Sequence, residues 1–263
     1  MLTKNAVFKR ALRPMYARNR NISNYLYKVA KKMMPKISDT ERAALNAGTV
    51  GFDRNIFSGN PSLKDLAQYA VKLSAEEKGF LESEVNELCE MLNDYKVVED
   101  RDFPQEFWDR CRLDGFFGMI IPKAYGGKGF TAHGHSQVVQ KIGTRCGSAG
   151  GTIAVPNSLG PGELLLRYGT KSQKDYYLPR LACGDLIPCF GLTSPHSGSD
   201  AASMSEANGV VVEKDGRVGI LASFNKRYIT LAPVAGCVGV AFHLKDPNNL
   251  LKGTYPLSFF APQ

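Results

Sequence analysis

Residues 189–200 read Cys-Phe-Gly-Leu-Thr-Ser-Pro-His-Ser-Gly-Ser-Asp. An apolar strand there would deliver the hydroxyl of Thr193 at its end, and a turn containing Pro195 would follow. Ser197, Gly198 and Ser199 then offer small side chains and accessible backbone N–H groups. Main chain of this kind can approach a phosphate or the edge of a planar ring, where bulkier residues would block it. Small-residue loops after strands also occur as plain turns, so the run alone decides nothing. A second stretch, Asn225-Lys-Arg-Tyr-Ile-Thr230, alternates in the strand manner and would put Tyr228 and Thr230 on one side. An aromatic with a hydroxyl two residues on can stack against a planar ring and donate to one of its nitrogens. An ordinary half-buried strand has the same pattern.

These segments need elements to position them. Ser38-Asp-Thr-Glu41 and Ser74-Ala-Glu-Glu77 each fit the S-x-x-E capping box, in which a hydroxyl and a carboxylate satisfy backbone donors at a helix start. After Ser74, the residues Phe80, Leu81, Val85, Leu88, Cys89 and Leu92 share one helical face and predict a helix of several turns. Gly51 to Pro61 reads as a loop. Pro104 opens a short helix with Phe107, Trp108 and Cys111 inward. Glycines of the turn Tyr125-Gly-Gly-Lys-Gly129 permit positive φ. A helix follows from Ala132 to Thr144 with Val138, Val139 and Ile142 as its core stripe. Helices from Pro161 to Tyr168 and from Gln173 to Ala182 are separated by Gly169, which suits a left-handed helix end. From Ile187 onward the texture is β-like: 187–192, 210–212, 217–222, 227–231 and 236–244, with Gly, Asn and Asp between them, and a strand-like 257–260. Helices first and strands afterwards predict an α+β fold. Its parts are a basic arm at residues 1–37, a helical domain at 38–185 and a β domain at 186–263.

The formal net charge is +8, and its location matters. Ten basic residues, Lys4 to Lys36, precede the first acidic one, Asp39, so the rest of the chain carries a slight negative excess. A nucleic-acid-binding domain would carry its basic patch on the folded body, so nucleic acid is not an expected partner. Within the arm, Phe8, Leu12, Met15 and Tyr16 recur at helical spacing between basic residues, and Ile22, Leu26, Val29 and Met33 repeat the pattern. Such a segment suits an anionic membrane surface; a solvated leader or an organelle transit segment has similar composition. No apolar run is long enough to span a bilayer. Six scattered cysteines without a C-x-x-C pair predict reduced thiols in a cytoplasmic setting and no metal site. His133 and His135 near a helix start suit surface or capping roles, His196 a solvent-facing turn, and His243 a core or edge position.

Taken together and in order, the segments resemble the acyl-CoA dehydrogenase family. Tyr125-Gly126-Gly127, Pro156-Asn157-Ser158-Leu159-Gly160, Tyr168-Gly169-Thr170 with Gln173-Lys174, and Leu178-Pro179-Arg180-Leu181 look like landmarks of its helical domain. Thr193-Ser-Pro-His-Ser-Gly-Ser-Asp200 looks like its flavin loop, and Lys226-Arg-Tyr-Ile-Thr230 like its second flavin-contacting strand. The match is nearest to long bacterial fatty-acyl members with a membrane-associated leader.

The resemblance implies FAD as cofactor, with Phe190, Leu192 and Thr193 along the flavin ring. Ser199 would meet the pyrophosphate and neighbour the acyl-CoA, Tyr228 would pack on the ring, and Thr230 would bond near its reactive nitrogen. The family often has Tyr, Glu, Gly and Trp where this chain has Phe190, Ser194, His196 and Tyr228. The implied activity is oxidation of fatty acyl-CoA to trans-2-enoyl-CoA in β-oxidation. Electron-transfer flavoprotein would be the acceptor, in a homo-oligomer if full length, located in the cytoplasm or peripherally at the inner membrane. No carboxylate matches the family's base, which lies in a C-terminal helical domain. A truncated chain with its base expected past Gln263 is therefore implied. A non-catalytic flavin- or acyl-CoA-binding protein, or a peripheral membrane protein, is the alternative.

Overall fold

The structure is a computed structural model that describes residues 23–32, 42, 45–47, 51–69, 71–158, 160–201 and 204–251, with the backbone of Ser258–Phe260. The chain divides into two compact units, Met1–Ala70 and Val71–Gln263.

In the first unit, residues 23–32 are helical, with Tyr25, Leu26 and Tyr27 exposed. The stripe at Phe8, Leu12, Met15 and Tyr16 and the capping box at Ser38 lie outside the described residues. The expected loop from Gly51 to Pro61 instead contains a short helix, Asp53–Phe57. Asp53 stands at its positive end, where a carboxylate is favoured, and the Ser58 N–H closes it onto the Arg54 carbonyl. A second short helix, Leu63–Ala67, starts at Ser62, whose hydroxyl accepts the Lys64 N–H at 3.2 Å.

The second unit opens with helices α1 (Ala75–Glu82), α2 (Glu84–Met91), α3 (Asp94–Asp100) and α4 (Gln105–Leu113), followed by α5 (Ala132–Arg145), α6 (Gly147–Ala154), α7 (Pro161–Tyr168) and α8 (Lys171–Ala182). The single helix expected after Ser74 is two helices, because Ser83 leaves helical geometry at ψ −88°. The Ser74 capping box forms: the Ser74 hydroxyl accepts the Glu77 N–H at 3.1 Å, and Glu77 Oε2 accepts the Ser74 N–H at 2.8 Å. Glu77 goes further. Its Oε1 accepts both the N–H and the hydroxyl of Thr131, each at 2.7 Å, and the Thr131 hydroxyl in turn caps α5 by accepting from the Gly134 N–H at 3.0 Å. One carboxylate therefore joins the starts of α1 and α5.

The stripes expected on α4 and α5 are buried: Phe107, Trp108 and Cys111 on one, Val138 and Ile142 on the other, in a core with Leu88, Phe116 and Ile153. Gly169 is extended (φ −65°, ψ 146°), not left-handed. Its N–H closes α7 on the Leu165 carbonyl at 2.9 Å, and a Cβ there would lie 2.6 Å from that oxygen. Close approach, not handedness, calls for glycine. The next helix begins two residues earlier than expected because Thr170 and Gln173 make a capping box.

Asn157 is buried at the end of the α6 segment. Its amide donates to the carbonyls of Phe116 at 2.6 Å and Ile153 at 2.9 Å, and its oxygen accepts the Ile120 N–H at 3.3 Å. Asn157→Ala leaves buried backbone groups unpaired and is expected to destabilise the unit by about 2 kcal/mol. Thermal unfolding would show it as a midpoint lowered by roughly 4–8 °C.

Among the described residues five strands follow: β1 (Pro188–Gly191), β2 (Asn208–Lys214), β3 (Arg217–Ser223), β4 (Cys237–Lys245) and β5 (Ser258–Phe260). β4 is parallel to β1, with Phe190 opposite Gly239, and parallel to β2 from Asn208 opposite His243; it is antiparallel to β5. β2 and β3 form a hairpin through Asp215 and Gly216, both at positive φ, as a two-residue turn of this hand requires. Met204, Ala207, Val240, Ala241 and Phe242 form the sheet's own core. Helices followed by a small mixed sheet agree with the expected α+β class.

Candidate functional site

β1 leads directly into the small-residue run. Phe190 is half-buried and lies across Gly239, where a Cβ would come within 2.8 Å of the Phe190 ring and 3.1 Å of Pro161. Leu192 and Thr193 follow, also half-buried. Ser194 to Ser197 then make a tight turn: the Ser194 N–H donates to the Ser197 carbonyl at 3.0 Å, and the Ser197 N–H returns to Ser194 at 3.3 Å. The His196 side chain faces solvent, as the sequence suggested, while its N–H donates to Glu206 Oε1 at 2.9 Å. That N–H is the main reason the Glu206 carboxyl sits below its ordinary pKa. Gly198 and Ser199 are exposed.

The second stretch comes to this turn, though not as a strand. Residues 224–229 carry no ladder, and Tyr228 and Leu231 have φ of 58° and 68°, left-handed values that end any β run. The strand expected at 227–231, and with it the alternation that paired Tyr228 with Thr230, is therefore absent. Specific bonds hold the segment instead. The Arg227 N–H donates to the Thr193 carbonyl at 3.0 Å. Lys226 Nζ donates to the Leu192 carbonyl at 2.9 Å and to Ser194 Oγ at 3.0 Å, and lies 3.5 Å from the Met204 sulfur. Burial pushes the Lys226 pKa down, and the nearby Glu206 charge partly restores it.

Leu192, Thr193 and the 226–228 segment are thus brought together. Tyr228 is 84% exposed, so its ring is free to meet a ligand. Thr230 is exposed two residues on, and no hydrogen bond among the described residues ties Ser199 to this group. Among the described residues the buried Ser197 hydroxyl has no hydrogen-bond partner. A buried hydroxyl left unpaired is costly in a finished structure.

Sequence reasoning assigned no role to Lys226 or Glu206. Lysines and glutamates are mostly solvated, and their value here depends on contacts 10 to 34 residues away in the chain. It also missed a cavity of about 370 Å³ whose lining includes Phe103, Trp108, Ser148, Thr152, Leu231 and Val234. Two of these, Ser148 and Thr152, lie on α6, whose sequence Gly-Ser-Ala-Gly-Gly-Thr-Ile-Ala has no helical stripe to announce it. The cavity lies beside residues 231–234, immediately after Thr230. His135 also differs from expectation: Thr131 supplies the cap, whereas His135 Nε2 is buried without a partner among the described residues and burial lowers its pKa.

Comparison with known proteins bears on the whole arrangement. The family model for the acyl-CoA dehydrogenase N-terminal domain matches residues 72–185. This part of the chain belongs to the acyl-CoA dehydrogenase family. The match covers the helices from α1 to α8 and bears out the resemblance carried by the glycine and Pro-Asn-Ser-Leu-Gly landmarks. Human mitochondrial very long-chain specific acyl-CoA dehydrogenase is 31% identical over 174 residues, covering 65% of this chain and 26% of its own length. The caffeyl-CoA reductase-Etf complex subunit CarC of Acetobacterium woodii is 34% identical over 183 residues, covering 70% of this chain and 45% of its own. The chain therefore spans less than half the length of either family relative. An acyl-CoA dehydrogenase complexed with FAD from Bacillus anthracis has the same fold over 72% of this chain and 32% of its own, with a TM-score of 0.60 at 22% identity.

Proposed function

We propose that this chain is the FAD- and acyl-CoA-binding portion of an acyl-CoA dehydrogenase acting in fatty-acid β-oxidation. The observation that carries the reading is the junction of the two predicted flavin segments. Arg227 bonds to Thr193 and Lys226 to Leu192 and Ser194, with the bare ring of Tyr228 beside them. Acyl-CoA dehydrogenases complexed with FAD share the fold, which supports FAD as the ligand. When bound, FAD supplies the acceptor for the hydride leaving the β carbon. Phe190, Leu192 and Thr193 would hold the ring's place, with Tyr228 over it, Thr230 donating toward it and Ser199 meeting the pyrophosphate. The cavity at Trp108, Phe103 and Leu231, next to Thr230, has an apolar side suited to the acyl chain, with Arg101 and Asp102 also in its lining. None of these residues is assigned as the base that removes the α-proton. Electron-transfer flavoprotein is the proposed acceptor, by analogy with a relative that is named as part of an Etf complex.

Titration with FAD tests the reading. Flavin fluorescence should be quenched on binding, and a hundredfold excess over Kd should stabilise the protein by about 2.7 kcal/mol. Unchanged fluorescence together with an unmoved melting midpoint would refute it.

The helix at residues 23–32 sets Tyr25, Leu26 and Tyr27 in water beside Lys28, Lys31 and Lys32. This favours attachment of the basic arm to an anionic membrane surface. Co-sedimentation with phosphatidylserine vesicles is expected at low salt and should be lost on deleting residues 1–37. Binding that survives the deletion would dismiss the arm's role.

A further inference from the structure

The turn from Ser194 to Ser197 is held from two sides. Lys226 Nζ donates to Ser194 Oγ at one end, and Glu206 Oε1 accepts the His196 N–H at 2.9 Å. The other carboxylate oxygen, Oε2, accepts the Ser205 hydroxyl at 3.1 Å. Glu206 is anchored in the sheet and not in the turn. Met204 and Ala207, on either side of it, are buried in the sheet's core, and the Ala207 carbonyl accepts the His243 N–H of β4 at 2.9 Å. Lys226 Nζ reaches the same segment, 3.5 Å from the Met204 sulfur. The stretches 192–197 and 204–207 therefore converge with Lys226 around one ammonium and one carboxylate.

Lys226 is half-buried, and the Leu192 carbonyl and Ser194 hydroxyl that accept from it are neutral. An ammonium group drawn out of water against neutral groups needs a counter-charge nearby. The Glu206 field supplies one and offsets part of what burial takes from the Lys226 pKa. The His196 N–H in turn favours the ionised form of Glu206. Position 194, where the acyl-CoA dehydrogenase family often has Glu, is a buried serine in this chain.

We propose that Glu206 is a positioning residue of the FAD site, holding the 194–197 turn by its His196 N–H and supplying from the sheet the negative charge that Lys226 does not find at Ser194. This role rests on the FAD reading and adds to it the group that keeps the flavin turn in its binding shape. A turn that spends less time in that shape binds its ligand more weakly in proportion.

Two measurements on the 263-residue chain test it: amide hydrogen exchange of residues 192–199 without flavin, and FAD titration followed by flavin fluorescence. Glu206→Ala removes both the bond and the charge. It should speed exchange in that segment and weaken FAD binding roughly tenfold or more. Glu206→Gln keeps an acceptor for His196 without the charge and should weaken binding roughly fivefold. Ser194→Asp added to Glu206→Gln sets a carboxylate beside Lys226 and should recover most of the affinity, whereas Ser194→Asn, of similar size, should not. A role confined to local packing would show no such rescue. Unchanged exchange in Glu206→Ala, parent-like affinity in both Glu206 variants, or affinity that Ser194→Asp leaves unrestored would each overturn the proposal. A parent chain that binds no FAD would overturn the reading of the site instead, and the exchange measurement would still decide whether Glu206 holds the turn.

Discussion

Lys226→Met should weaken FAD binding by roughly 10- to 100-fold, the loss expected when one or two hydrogen bonds from a charged donor disappear. The ammonium group ties the 226–228 segment to the end of β1 through the Leu192 carbonyl and the Ser194 hydroxyl. Methionine fills a similar volume but donates nothing. The Leu192 carbonyl then lacks its partner, and the turn from Ser194 to Ser197 loses its anchor to the chain that carries Tyr228. The Arg227 to Thr193 backbone bond would still join the two segments. Binding should suffer more than folding, because the helical core formed by Phe107, Phe116, Leu88 and Ile142 contains neither segment. Parallel flavin titrations and thermal melts of parent and variant check this. Equal FAD affinity in the two proteins would remove Lys226 from any positioning role.

Glu77→Ala should lower stability by about 3 kcal/mol, or roughly 6–12 °C in melting midpoint for a unit of this size. The side chain is 2% exposed. Burial alone would raise its pKa, but hydrogen bonds from the Thr131 hydroxyl and from the N–H groups of Ser74 and Thr131 prevail and bring it to about 2. Removing the carboxylate leaves those donors unpaired at the starts of two helices.

The shift also sets a pH dependence. The folded-state pKa lies below the ordinary value of 4.5, so the carboxylate's contribution is complete above about pH 4.5 and is lost as pH falls toward 2. Denaturant unfolding of the parent and of Glu77→Gln should therefore differ most near neutrality and converge in acid. A gap that stays constant with pH would show that the charge contributes nothing.

How far the sequence could be read depended on how local each signal was. The helices α4 and α5 were legible because their apolar residues recur at helical spacing and bury on one side. The Ser74 box was legible because both of its bonds span three residues. The second half of Glu77's role was not, since its bonds to Thr131 cross 54 residues. α6 was missed because a Gly-rich run has low helix propensity; it is stabilised by burying Ala149, Thr152 and Ile153. At 227–231 the composition favoured a strand, yet positive φ at Tyr228 and Leu231 and the capture of Lys226 produced an irregular segment.

Residue types and their order were enough to establish the helical-then-β class and the family resemblance, and to single out the stretches around Thr193 and Tyr228 as candidates. Whether those stretches meet is another matter, because Lys226 and Leu192 are 34 residues apart and only the packing of the sheet sets them 2.9 Å apart. The cavity beside Thr230 likewise arises from which surfaces pack together. Periodicity and capping report on neighbours a few residues apart, whereas a site is assembled by burial among segments that carry no local record of one another.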